Sequence, residues 1–229
     1  MKLTFNINYD TVFGEEVLLN IVETDSKGAK KTSQFRMNNR DGKHWWYELN
    51  RKEATLNTSL DYYYSVDCDW ADSRHEWLTE THRLELSAVK GREYTVYDHW
   101  ADVPEDSYLY SSAFTECVNR RPLPSIRPSA YDKTVRLIVR APQLRTFEQL
   151  AVVGKPKSMG AWDVFKALPM YEHNYNDWIV DLNVETLDGE VLEFKFAALN
   201  TADKQHPLWE TGMNREIHLP EIKNGEVVV

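Results

Sequence analysis

Two tryptophans lie in glycine-containing loops rather than in alternating patterns: Trp162 in Met159-Gly160-Ala161-Trp162-Asp163, and Trp209 in Leu208-Trp209-Glu210-Thr211-Gly212-Met213-Asn214-Arg215. Loops run over surfaces, so both indoles are expected to face solvent. A flat apolar ring at a surface suits a ligand with apolar C–H faces and a rim of hydroxyls, such as a pyranose. A few polar groups nearby would then fix its orientation. Glu193, Lys195 and Asn214 are candidates for those groups, provided that their side chains share the end of the fold that carries the indoles.

Other chemistries find less support. The seven histidines show no HxH or HExxH spacing, so neither a metal nor any other cofactor is expected. Cys68 and Arg74 stand at the Cys-x5-Arg spacing of a phosphate-binding loop. The residues between them carry two carboxylates, Asp69 and Asp72, and no glycine, so they would repel phosphate. A small stand-alone glycosidase would need two carboxylates roughly 5 to 9.5 Å apart across a cleft. The 36 acidic residues leave that alternative open. A protein–protein adaptor with aromatic hot spots is a third alternative.

The elements that must position these residues read as strands. Leu3, Phe5, Ile7 and Tyr9 alternate with polar residues, as do Val135, Leu137 and Val139, and Leu192, Phe194 and Phe196. Val17 to Val22, Leu150 to Val153 and Glu226 to Val229 fit further strands, and Asn224-Gly225 is a hairpin signal before the last. Arg145 to Leu150 and Asp163 to Leu168 fit short helical turns. Similar landmarks recur at one offset (209 − 77 = 132) in the pairs Trp77/Trp209, Arg83/Arg215 and Tyr63/Lys195, while Trp45 and Trp178 differ by 178 − 45 = 133. Such a repeat implies duplication. The fold class expected is all-β, with two tandem immunoglobulin-like antiparallel β-sandwiches at 1–101 and 133–229. Pro104, Pro122, Pro124 and Pro128 make 102–132 an extended, semi-rigid spacer between them.

Bulk properties narrow the partners. A net charge of −9 without a basic stripe excludes nucleic acid, whereas a neutral ligand is indifferent to it. No apolar run approaches the roughly 18 residues of a spanning helix, so no membrane partner is expected. The opening Met1 to Ile7 alternates from the start instead of forming a secretory core, which predicts a cytoplasmic location. Two cysteines, Cys68 and Cys117, are too few for a disulfide framework. Eight tryptophans and twelve tyrosines exceed what two small cores need, so several are expected at a surface.

Taken together, Val153-Gly154, Met159-Gly160-Ala161-Trp162-Asp163, Ala167-Leu168-Pro169-Met170, Trp178 opening a strand, Leu192-Glu193-Phe194-Lys195-Phe196 and Trp209 to Arg215 resemble the family 20 starch-binding carbohydrate-binding module. The resemblance implies that Trp162, Glu193, Lys195, Trp209 and Asn214 form a main α-glucan site, and that Trp178 with Tyr171 or Tyr175 forms a weaker second one. In the first copy Trp77 and Arg83 match the motif, but His82 replaces its Asn, Tyr63 replaces its Lys, and the loop from Thr24 to Lys31 has no aromatic residue. That leaves a weak site at Trp77, or at Phe13 and Trp45, or else a structural spacer. Tyr97-Asp98-His99-Trp100 followed by Tyr110-Ser111-Ser112-Ala113-Phe114 is similar to the inter-module stretch of disproportionating 4-α-glucanotransferases. This implies a non-catalytic front region, followed by a glycoside hydrolase family 77 barrel. A (β/α)₈ barrel of about 250 residues does not fit beside two such modules, so it would lie outside this chain.

Overall fold

A computed structural model describes the chain apart from residues 25–26, 80, 119–125, 142–143, 146, 175–176 and 203–206, and apart from the side chains of 115, 116, 118 and 174. The chain divides into two compact units, one built from Met1–Pro122 with Ile126–Pro128 and one from Leu123–Ser125 with Ser129–Val229. Both are all-β: among the described residues the only helical elements are short 3-10 turns and one π turn. No described helix is long and apolar enough to cross a membrane.

The first unit holds β1 (Lys2–Asn8), β2 (Glu15–Thr24), β3 (Lys30–Arg36), β4 (Asn38–Asn39), β5 (His44–Asn50), β6 (Thr58–Cys68), β7 (Arg74–His75), β8 (His82–Leu86) and β9 (Glu93–His99). β1 pairs antiparallel with β5 and parallel with β9, and β4 extends the sheet on β5. The facing sheet centres on β2 and β6, with β3, β7 and β8 at their sides. The period-two pattern buries one face of each: Leu3, Phe5 and Ile7 from β1, and Val17, Leu19 and Ile21 from β2. Phe5 meets Tyr62 of the other sheet edge-on, with centroids 4.9 Å apart.

A buried polar network crosses this core. Glu76 is 1% exposed and accepts from the amides of Tyr64 (2.7 Å) and Ala101 (2.8 Å). His82 stands between two carboxylates, its Nε2 3.0 Å from Glu76 and its Nδ1 3.5 Å from Asp98. Asp98 accepts from the Tyr62 and Tyr64 hydroxyls at 2.9 and 2.7 Å. Burial pushes the Asp98 carboxyl up, against the opposing charge of His82 and the two hydroxyls. Burial likewise pushes both phenols well above their ordinary range, reinforced by the Asp98 charge.

The front of 102–132 departs from the extended spacer read from its prolines. Ser107–Tyr110 is a 3-10 turn and Ala113–Val118 a π turn. Tyr110 is buried, with its ring edge-on to Trp77 at 5.0 Å, so an aromatic anchor overrides the local proline signal. Pro122 and Pro124 lie outside the described residues.

The second unit holds β10 (Thr134–Arg140), β11 (Glu148–Gly154), β12 (Leu168–Pro169), β13 (Tyr171–Asn174), β14 (Asp177–Asn183), β15 (Val191–Asn200), β16 (Leu208–Trp209), β17 (Arg215–His218) and β18 (Glu226–Val228). One sheet runs β13-β14-β10-β18, with β18 parallel to β10. The other runs β12-β11-β15, with β16 and β17 on the far side of β15. Val135, Leu137, Val180 and Leu182 of the first sheet and Leu150, Val152, Leu192 and Phe194 of the second form one core cluster, which makes the unit a sandwich.

Two local expectations change. Arg145 and Glu148 do close a single turn (Glu148 N to Arg145 O, 2.9 Å), but β11 begins at Glu148 because Leu150 and Val152 alternate into the core. Asn224-Gly225 does form a turn, yet no hairpin follows. Gly225 N donates to Asp132 O at 3.0 Å, and β18 then runs parallel to β10.

Candidate functional site

β15 organises the candidate residues. Leu192 and Phe194 point into the core, so Glu193 and Lys195 occupy the outer face. Trp209 lies directly opposite Ala197 in the β15–β16 register, which places its side chain on that same outer face. The segment after it is clipped down at several points. Lys195 Nζ donates to the carbonyls of Glu210 (3.2 Å) and Gly212 (2.6 Å), and Asn214 Nδ2 donates to Glu193 Oε1 (2.6 Å). The structure therefore gathers Glu193, Lys195, Trp209 and Asn214 on one face. Trp209 is 40% exposed.

Trp162 approaches from the other side of β15. It follows β11, and its amide donates to Gly154 O at 3.0 Å, level with Phe194 in the β11–β15 register. The loop is built for this placement. Buried Met159 anchors a 3-10 turn, and Asp163 caps the next one through the Phe165 amide (3.1 Å) while binding Lys166 at 3.0 Å. Between these turns Gly160, Ala161 and Trp162 all adopt left-handed backbone, with φ of 87°, 49° and 67°. Such a run is costly for residues with side chains and is found where surrounding structure imposes it, often at functional sites. The indole is half-buried.

Gly160 has no alternative at its position. A Cβ there would meet Asp163 O at 2.7 Å and Lys166 O at 2.9 Å. Gly160→Ala is expected to destabilise the second unit by about 2–4 kcal/mol, through backbone strain and overpacking combined. Trp162→Gly, by contrast, relaxes the strained position and should leave the melting temperature unchanged or raised while removing the ring. Thermal unfolding of both variants separates the loop's backbone role from the side chain's.

Sequence reasoning missed Glu210, which holds the arc together. It accepts from the Phe196 amide at 3.2 Å and from Arg215 Nε at 2.7 Å, and the guanidinium lies 5.3 Å from the Phe196 ring centroid. Burial pushes the Glu210 carboxyl up, but Arg215, the Phe196 amide and the Lys195 ammonium outweigh it and hold the group below the usual carboxylate range. A depressed folded-state pKa gives stability that is present above the unfolded value and is lost as pH falls through the folded one. Ligand affinity is therefore expected to hold at neutral pH and to fall below the ordinary glutamate range, about pH 4.3. Titrations stepped downward from about pH 6 through and below about pH 4.3 check this; a profile that Glu210→Gln leaves unchanged would refute the clamp, whereas a flattened one supports it. The signal that could have found Glu210 is an acid five residues before Arg215, in the same loop as Trp209.

The remaining candidates divide. Trp178 is half-buried against the core cluster, opposite Val139 in β10 and Glu172 in β13. Tyr171 is 47% exposed, and Tyr175 lies outside the described residues. In the first unit Trp45 is corrected to a core residue: it is 3% exposed, with its indole N–H donating to Tyr9 O at 3.2 Å. Trp77 is half-buried against Tyr110, and Phe13 is fully exposed. At the position of the motif's Asn, His82 is engaged by Glu76 and Asp98. Among the described residues no cluster of His, Cys, Asp and Glu is suited to a metal ion.

A sandwich whose outer face sets an indole among a fixed set of donors and acceptors is a form suited to ligand binding. Residues 133–229 match the family described as the starch binding domain. Glucoamylase-1 of Arthroderma benhamiae is 28% identical over 104 residues, which are 44% of this chain and 16% of that protein, so the chain spans a minor part of its relative's length. The family 20 module of the maltotetraose-forming amylase from Pseudomonas saccharophila is 18% identical, covering 42% of this chain and 99% of that one, with a TM-score of 0.35. The glucoamylase of Hormoconis resinae is 22% identical, covering 43% of this chain and 16% of that one, also with a TM-score of 0.35.

Proposed function

We propose that the second unit binds α-1,4-glucan without cleaving it, the sugar faces stacking on Trp209 and Trp162 and the hydroxyls meeting Glu193, Lys195 and Asn214. The observation that supports this reading is the clipped outer face of β15, where Glu193, Lys195 and Asn214 stand together beside the exposed indole of Trp209. The starch binding domain match over 133–229 agrees with it. If base stacking is a guide, each stacked sugar contributes about 1–3 kcal/mol. Two platforms with polar contacts then correspond to dissociation constants of about micromolar to millimolar.

The catalytic alternative needs an acid pair in a cleft. Glu193 and Glu216 are opposite one another in the β15–β17 register, but Glu193 is engaged by Asn214 and Glu216 lies on an exposed edge. Calorimetric titration with maltoheptaose, followed by product analysis, tests the proposal. Binding without change of chain length supports it, and absence of binding or the appearance of shorter products overturns it.

A wider reading takes the two units as copies of one module and the chain as the front region of a 4-α-glucanotransferase that delivers glucan to a catalytic barrel. The shared 132-residue offset supports it (209 − 77 = 132), as does the strand plan common to both units: first strand antiparallel to a central strand and parallel to the last. Such tethering would raise the local substrate concentration at the barrel. The reading frame downstream of this chain tests it, since a frame that encodes no such barrel removes the transferase.

A further inference from the structure

In the first unit, the sheet that centres on β2 and β6 forks at one end. The antiparallel ladder between the two strands stops where Val22 faces Asp61. β2 nevertheless runs on to Thr24, paired with Lys30 of β3, and β6 starts earlier, at Thr58, paired with Leu86 of β8. The parted edges turn backbone groups toward a gap across which they no longer meet. That gap is a cleft of about 690 Å³, lined by the separating ends of both strands together with Lys30, Lys31 and Arg51. Its volume falls in the range of small-molecule sites, roughly 300 to 1,000 Å³.

Charge decides the ligand class. The chain as a whole carries −9, yet in this cleft Lys30, Lys31 and Arg51 outnumber Glu23 and Asp61. Both carboxylates are already matched. Glu23 accepts from Arg51 at 2.9 Å, and Arg83 of β8 holds both oxygens of Asp61, at 2.7 and 3.2 Å. Lys31 stands opposite Glu23 in the β2–β3 register, so its nearest carboxylate is the one Arg51 occupies. Among the described residues neither Lys30 nor Lys31 has an ion-pair partner, and both are exposed. Lysines on an edge strand also discourage edge-to-edge pairing, but that role does not account for the cleft beside them. Two unmatched ammonium groups suit a phosphate group, which carries nearly two negative charges at neutral pH, better than a single carboxylate. We infer that this cleft binds a ligand bearing a phosphate group, held by Lys30 and Lys31, with the exposed hydroxyls of Thr24, Thr58 and Ser59 available to the rest of the molecule. The site is independent of the glucan reading of the second unit.

Calorimetric titration of the full chain with inorganic phosphate and with glucose 6-phosphate tests it, at low ionic strength where the attraction is least screened. Glucose 6-phosphate is expected to bind, and raising the salt from about 50 to about 200 mM should weaken the binding. Lys30→Ala combined with Lys31→Ala, at exposed positions that folding does not need, should reduce the affinity at least about tenfold. Lys30→Arg with Lys31→Arg keeps the charge and should retain most of it. Tighter binding of glucose 6-phosphate than of inorganic phosphate assigns the hydroxyl-lined part of the cleft to the organic portion of the ligand. Equal affinity assigns the site to free phosphate, and either result supports a phosphate site. Absence of binding with both probes, or an affinity that the double alanine variant leaves unchanged, overturns it. Maltoheptaose affinity should not respond to either lysine, so failure of this site leaves the reading of the second unit untouched.

Discussion

Trp209→Ala is expected to weaken maltoheptaose or β-cyclodextrin binding at least about tenfold, the equivalent of one lost stacking platform, with little change in unfolding. The backbone of β16 pairs with β15 at Ala197 and Ala198 whatever the side chain is, and the arc after it is fixed by Lys195, Glu210 and Asn214. Removing a 40%-exposed ring should therefore cost little stability. A different role for the indole is readable in the same experiment. Ala197, its cross-strand neighbour, is 1% exposed, and a ring that served only to cover it would show the opposite pattern: a lower melting temperature with unchanged affinity. Calorimetric titration beside thermal unfolding separates the two, and unchanged affinity in both Trp209→Ala and Trp162→Gly would remove the site.

The second large effect concerns stability. Glu76→Ala is expected to destabilise the first unit by about 3–5 kcal/mol, the range for breaking one partner out of a buried charged network. The loss orphans the amides of Tyr64 and Ala101 inside the unit and takes the Glu76 carboxylate from His82. Urea unfolding measures the change, and hydrogen exchange at the Tyr64 amide locates it. A loss below about 1 kcal/mol would mean that water replaces the carboxylate readily. Glu76→Gln keeps the volume and one acceptor, so it should fall between the two.

Strands that bury one face announced themselves, because period two is a direct consequence of the pleat: Leu3, Phe5 and Ile7, and likewise Leu192 and Phe194, lie in the core as their spacing predicts. The outward position of Glu193 and Lys195 follows from the same alternation. Partnerships between distant segments were not legible. Asn224-Gly225 specifies a turn, but nothing local says that the next strand joins β10 in parallel. Trp45 has a strand-start sequence like that of Trp178, and only packing distinguishes the core residue from the half-buried one.

In each unit the opening strand takes a partner from the closing segment: Leu3 aligns with Tyr94, and Thr134 with Val227. For the second unit the two ends of that pairing are separated by 93 positions (227 − 134 = 93), nearly the whole module. Closing so large a loop is slow, and no shorter intermediate can satisfy that edge of β10. During synthesis the unit must therefore wait, incomplete and with an unpaired edge, until its final residues have left the ribosome. Deleting Glu226–Val228 should make the module aggregate as it is made, even though Trp162, Glu193, Lys195, Trp209 and Asn214 would all still be present.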